Sequence, residues 1–173
     1  ILIEPALHGD DRGYFSETFR QDLFNEAIGR NINFIQDNES KSSKGVLRGL
    51  HYQVPPFSQS KLLKVVEGTV LDVAVDIRKS SPTFGQHLAI ELSVDNKYQL
   101  FVPKGFAHGF VVLSDVATFT YKVDSYYAPE HERGIAFNDQ NLKINWQLKP
   151  EFFKLASKDL NHPNFADVQD FFD

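Results

Sequence analysis

No cysteine occurs in this 173-residue chain, which removes disulfides, thiolate nucleophiles and cysteine zinc sites together. Basic residues are in the minority: 18 Lys and Arg against 23 Asp and Glu leave a formal charge of −5, the reverse of a nucleic-acid footprint. An anionic small ligand would need a local cluster of Arg and Lys. Long apolar runs and a basic-then-apolar leader are missing too, so a soluble, cytoplasmic protein with no membrane partner is expected. The chain opens on Ile rather than Met, and a start upstream of it is expected. Repeats, low-complexity tracts, linkers and a Gly-rich phosphate loop are also lacking. What is present is 42% hydrophobic residues with 16 Phe, ample for one core, over a length that fits a single domain, 1–173.

Many short β-prone segments follow one another without alternating helices, which predicts an all-β antiparallel sandwich or barrel. Ile1 to Leu7 and Tyr14 to Phe19 flank a turn. Leu23, Phe24, Ala27 and Ile28 recur at helical spacing between Arg20 and Gly29, a helix with a glycine stop. Ile32 to Asn38 reads as a strand and Ser40 to Lys44 as a turn. Two prolines make Val54 to Ser60 a loop. Lys61 to Glu67 and Thr69 to Ile77 are successive strands, and further strands fall near His87 to Val94, Tyr98 to Val102, Ala107 to Leu113 and Val116 to Asp124. In the second of these strands Leu71, Val73, Val75 and Ile77 share one face. Asp72 and Asp76 share the other with Val70 and Ala74, which suggests a polar cavity or water there. The tail reads as turn-rich with a short amphipathic helix near Phe165 to Phe172.

The stretch from Gly45 to Gln53 stands out. Arg48, His51 and Gln53 interrupt small and β-prone residues, where a purely structural strand has no need of them. In an extended chain His51 and Gln53 point the same way and Arg48 the opposite way. For Arg48 and His51 to meet one ligand, Gly49 must bend or bulge the strand. The plain alternative is a half-exposed strand with a solvated Arg and a hydrogen-bonded core His.

His51, Lys61, Asp72, His108 and Tyr121 sit on five different strands, and the wall of a barrel brings such residues together around a pocket. Taken singly, His108 and Tyr121 read first as core side chains satisfied by one hydrogen bond, a reading that weakens because several such residues occur at once. A metal site of the kind jelly-roll barrels hold would want His where Gln53 stands and a carboxylate where Lys61 stands, so a metal is not expected. Imidazole, carboxylate, phenol and ammonium remain, which is equipment for general acid–base chemistry. A His can take a proton if a carboxylate steadies the imidazolium, a Tyr can return one from the opposite side, and a Lys can stabilise an enolate. Those roles describe epimerisation beside a ketone.

Five ordered strings then carry a resemblance: Asn38–His51 (NESKSSKGVLRGLH), Asp72–Arg78 (DVAVDIR), Ser81–Gly85 (SPTFG), Pro103–Phe110 (PKGFAHGF) and Tyr121–Lys122. Together they resemble the dTDP-4-dehydrorhamnose 3,5-epimerases over nearly the whole chain. The resemblance implies a cupin-like jelly roll, a homodimer and no cofactor. It implies His51 as base with Asp159 behind it, Tyr121 as acid, Lys61 at the enolate, and His108 with Asp72 around the sugar. For the nucleotide it implies Arg12 and Arg48 on the diphosphate, in the fork geometry suited to phosphate. Phe15 and Tyr127 would enclose the base, with Glu17, Gln36, Asn38 and Glu132 as polar contacts. Part of the N-terminal segment is expected to serve the pocket of a partner chain. Departures are mild: Tyr52 stands where Phe is common, Phe101 and Phe137 where Trp is common, and Gln147-Leu148 where Trp-Pro is usual. The implied substrate is a dTDP-4-keto-6-deoxy sugar inverted at C3 and C5. The alternatives are a single-carbon epimerase or keto-isomerase on a related nucleotide sugar, and a catalytically silent sugar-binding barrel.

Overall fold

The computed structural model describes residues 1–173. Its strands are β1 (Leu2–Ile3), β2 (His8–Asp10), β3 (Gly13–Phe15), β4 (Gln36–Ser43), β5 (Leu47–Gln53), β6 (Lys61–Glu67), β7 (Thr69–Asp76), β8 (His87–Ser93), β9 (Gln99–Val102), β10 (Phe106–Val112), β11 (Val116–Val123) and β12 (Glu132–Gly134). Helix α1 spans Gln21–Ile28, and the remaining helical pieces are 3-10 turns at Pro129–His131, Pro150–Phe152 and Phe165–Asp167. One sheet runs β1-β9-β6-β11-β4 and a second β12-β5-β10-β7-β8, every neighbour antiparallel, with β2-β3 a separate hairpin. Two such sheets face to face make the cupin-like jelly roll, and no helix is long and apolar enough to cross a membrane.

Alternation along each strand decides what lies in each layer. Val70 and Ala74 of β7 pack between the sheets with Leu63, Val65, Leu100, Phe110 and Phe119. Leu71, Val73, Val75 and Ile77 face away from them, into a layer closed by Ile135, Leu142, Trp146 and Val168 of the C-terminal segment. Phe24 of α1 covers Leu62 and Phe101 on the outer side of the first sheet. The helix ends where glycine allows it: Gly29 adopts φ 64°, and its N–H caps the last turn.

Three expectations need correction. The strand placed at Ile32 to Asn38 lies instead at Gln36–Ser43, through the residues read as a turn. Pairing with β11 along its whole length holds this polar edge strand, so no apolar alternation marks it. No helix forms across Phe165 to Phe172. That segment makes one 3-10 turn and then a bridge from Phe172 to Arg78, because Phe165, Phe171 and Phe172 each dock separately against the core. Asp72 and Asp76 do not share a cavity either. Asp76 is consumed by Arg78, Ser81 and Thr83, while Asp72 faces His108.

Candidate active site

Gly49 is the hinge of the site. It sits at φ 127°, and a Cβ there would lie 2.5 Å from the Cα of Gly109. Strands β5 and β10 can touch this closely only because both residues are glycine. Pairing runs Arg48 with Phe110 but His51 with His108, so three steps on β5 answer two on β10. The extra residue is a bulge of the kind glycine supplies, and it returns Arg48 to the side of His51. Both line a cleft of about 630 Å³ and a narrower inner pocket of about 120 Å³. Gln53 spends its amide elsewhere. It donates to the Phe57 and Tyr126 carbonyls and accepts from Ala128 N–H, pinning loops at the rim.

Nε2–H of His51 donates to Oδ1 of Asp159 at 2.6 Å, just under the usual range of a charge-assisted N–H···O bond. The C-terminal segment delivers that carboxylate. Leu47 N–H donates to Lys154 O, and Lys154 N–H to Gly45 O, which lays the segment beside β5. A turn closed by Asp159 N–H on Ala156 O at 2.9 Å then aims the side chain inward. Burial alone would raise Asp159, but the His51 bond first, and then the positive charge around it, hold it below its ordinary value.

Tyr121 faces His51 from the other sheet, on β11, and lines both cavities with it. Burial pushes its phenol up, Arg48 opposing and Glu132 adding, so it carries its proton at neutral pH. Lys61 opens on the inner pocket, where burial lowers its ammonium to about 8 against the pull of Asp72. His108 shares that pocket, its Nε2 at 2.9 Å from both Asp72 oxygens. Asp72 is wholly buried behind it and reaches the pocket only through that ring.

Gln36, Asn38, Tyr127 and Glu132 line the outer cleft with Arg48, and Gln36 Nε2 donates to Asn38 Oδ1 at 2.8 Å. Glu132 accepts from Lys158 at 3.0 Å and from Tyr127 at 3.1 Å. Arg12, Phe15 and Glu17 are not in this cleft. Arg12 is paired with Asp10 on the exposed hairpin, and Phe15 is 69% exposed. A groove of about 530 Å³ on the outer face of the first sheet is bounded by Asp37, Lys64 and Lys122 and contains no imidazole.

Several lining residues escaped the sequence reading. Lys154 and Lys158 add cations to the cleft. Ser40 presents a buried hydroxyl without a partner to the inner pocket. His162 stands 3.5 Å from Asp159, and only its position three residues after a site carboxylate could have flagged it. The His51, Asp159 and His162 ligand atoms lie within 4.8 Å of one another. Ligands on one zinc at 2.0–2.1 Å would stand roughly 3.3 Å apart, so the 2.6 Å His51–Asp159 spacing is that of a hydrogen bond.

The fold and the cleft define a cupin-like enzyme with a half-buried imidazole, backed by a buried carboxylate, facing a phenol. The family model described as dTDP-4-dehydrorhamnose 3,5-epimerase matches residues 1–167. The dTDP-4-dehydrorhamnose 3,5-epimerase of Shigella flexneri is 52% identical over 171 residues, 99% of this chain and 93% of its own. The crystal structure of that enzyme from Elizabethkingia anophelis superposes at a TM-score of 0.95 with 49% identity, covering 98% of this chain and 92% of the other. The epimerase of Legionella pneumophila, solved in complex with dTDP-4-keto-L-rhamnose, gives 0.93 at 49% identity over 97% and 88%. The chain therefore belongs to the dTDP-4-dehydrorhamnose 3,5-epimerase family.

Proposed function

We propose that this protein inverts C3 and C5 of dTDP-4-keto-6-deoxyglucose to give dTDP-4-keto-L-rhamnose. The observation that carries the reading is the placement of His51, backed by Asp159, and Tyr121 on opposite sheets of one cleft. The C4 carbonyl acidifies the hydrogens on both neighbouring carbons. His51, with Nε2 committed to Asp159, takes the C–H proton on Nδ1, and the bonding pair moves into an enolate on O4. Lys61, desolvated but still largely charged near pH 7, stabilises that oxyanion. Tyr121 gives its proton to the opposite face of the carbon, which re-forms the ketone and inverts the centre. Proton return to the phenol and release from the imidazolium reset the site for the second carbon.

Arg48, Lys154 and Lys158 supply the positive charge a diphosphate needs, and Tyr127 and Glu132 take the nucleoside end. Asp72 positions His108 at the sugar. The exposed Arg12, Phe15 and Glu17 serve the cleft of a second copy, which makes a homodimer the working unit of a cytoplasmic, single-domain enzyme. Incubation with dTDP-4-keto-6-deoxyglucose in heavy water, followed by NMR, tests the assignment. Deuterium at both C3 and C5 is expected. Deuterium at one carbon alone would make the protein a single-carbon epimerase, and none at either would end the reading.

A further inference from the structure

A second imidazole shares the carboxylate that holds the base. The Nε2 of His162 stands 3.5 Å from the Asp159 Oδ1 that accepts from His51. That nitrogen is buried and makes no hydrogen bond, an exception interiors seldom contain. The His51 and His162 rings meet edge-on with centroids 5.4 Å apart. Backbone contacts build the seat. Gly134 of β12, the pairing partner of His51, lies beneath the ring, and a Cβ there would collide with Cε1, Nδ1 and Nε2. Ala136 N–H donates to Pro163 O at 2.8 Å, fastening the chain just beyond His162.

We propose that His162 is a positioning residue that sets the basicity of His51 by sharing Asp159 with it. At 3.5 Å the His162 Nε2–H is too far to hydrogen-bond Oδ1, but its dipole still faces that oxygen; this makes the oxygen a weaker counter-charge and the His51 imidazolium less stable. Charged groups reach His162 from β5 (His51) and from its own loop (Asp159 and Lys158), while Glu132 on β12 holds Lys158. Burial first, and then His51, push His162 below its ordinary value, which favours its neutral ring. The carboxylate therefore supports one imidazolium, and the 2.6 Å contact against 3.5 Å assigns it to His51.

This inference rests on His51 being the base, and the test separates the two ideas. His162→Phe keeps a ring over Gly134 without a donor, His162→Gln keeps a donor, and Gly134→Ala displaces the ring while leaving every polar group in place. The His51 titration is read by NMR on ring-labelled protein, beside the pH profile of kcat/KM with dTDP-4-keto-6-deoxyglucose. In His162→Phe and Gly134→Ala the His51 midpoint and the acid limb are both expected to rise by about half a pH unit or more, with His162→Gln within ~0.2 of wild type. A midpoint unmoved in His162→Phe, or an equal rise in His162→Gln, overturns the proposal. A midpoint that moves without the limb leaves His162 in its role and removes His51 as the base. Should Gly134→Ala not fold, the contrast between Phe and Gln at position 162 decides alone.

Discussion

His51 and Asp159 are 108 residues apart in the chain and 2.6 Å apart in space. In the proposed mechanism this carboxylate fixes which ring nitrogen carries hydrogen and stabilises the imidazolium formed when His51 takes a proton. Asn at position 159 can turn its amide N–H toward the ring and favour the wrong tautomer. Asp159→Asn is therefore expected to lower kcat by about 10²–10⁴. Loss of the counter-charge also makes the imidazolium less stable, so the acid limb of kcat/KM moves to lower pH. Steady-state rates between pH 5 and 9 check both effects.

Lys61 gives a prediction of the opposite kind, a gain in stability at the expense of activity. Its ammonium is lowered from 10.5 to about 8 by burial. The unfolded chain therefore binds more protons than the folded one between those values, and stability rises as pH climbs through that window. Below pH 8 the charged lysine costs stability in full. Lys61→Met is expected to raise Tm at pH 7 by roughly 2–6 °C, the shift expected of one to two kcal/mol in a chain of this size. The advantage shrinks towards zero by pH 10.5. Thermal unfolding across that range is the measurement, and turnover should be lost in the same variant.

Gly49→Ala attacks the bulge itself. The backbone there lies at φ 127° and the new Cβ would fall 2.5 Å from Gly109 Cα, so both conformation and contact forbid it. A loss of about 3 kcal/mol or more is expected from strain and overpacking together. Urea unfolding measures this, and any folded fraction should bind dTDP weakly because Arg48 loses its direction into the cleft. An unchanged midpoint would show that β5 and β10 can part without harm.

Legibility in the sequence followed how local each cause is. Helix α1 was readable because Phe24, Ala27 and Ile28 are spaced for one face and Gly29 ends it. The two faces of β7 were readable for the same reason at period two. Strand β4 was misplaced because its residues, QDNESKSS, carry no apolar alternation, and only cross-strand bonds to β11 make it a strand. The tail misled because Phe165, Val168 and Phe172 are spaced for one helical face, while its three Phe dock one by one. The requirement that Gly49 bulge if Arg48 and His51 share a ligand could be stated beforehand, since it follows from strand geometry alone. The Asp159 partnership could not, because it depends on how the C-terminal segment crosses Gly45 and Leu47. It came from family resemblance, and His162 was overlooked with it.

Arg12 and Phe15 lie on an exposed hairpin away from the cleft of their own chain, and in the proposed dimer they reach the cleft of the partner. Complementation tests this without a new structure. An Arg12→Ala/Phe15→Ala variant keeps its acid–base groups but offers nothing to its neighbour, while His51→Asn lacks the base but keeps the hairpin. Each is expected to be nearly inactive alone. After co-refolding in equal amounts, half the dimers are mixed, and each mixed dimer holds one cleft with an intact base and an intact borrowed hairpin. Activity should recover to roughly a quarter of wild type under closed two-fold assembly. Should the mixture stay as inactive as its parts, the hairpin works in its own subunit or not at all.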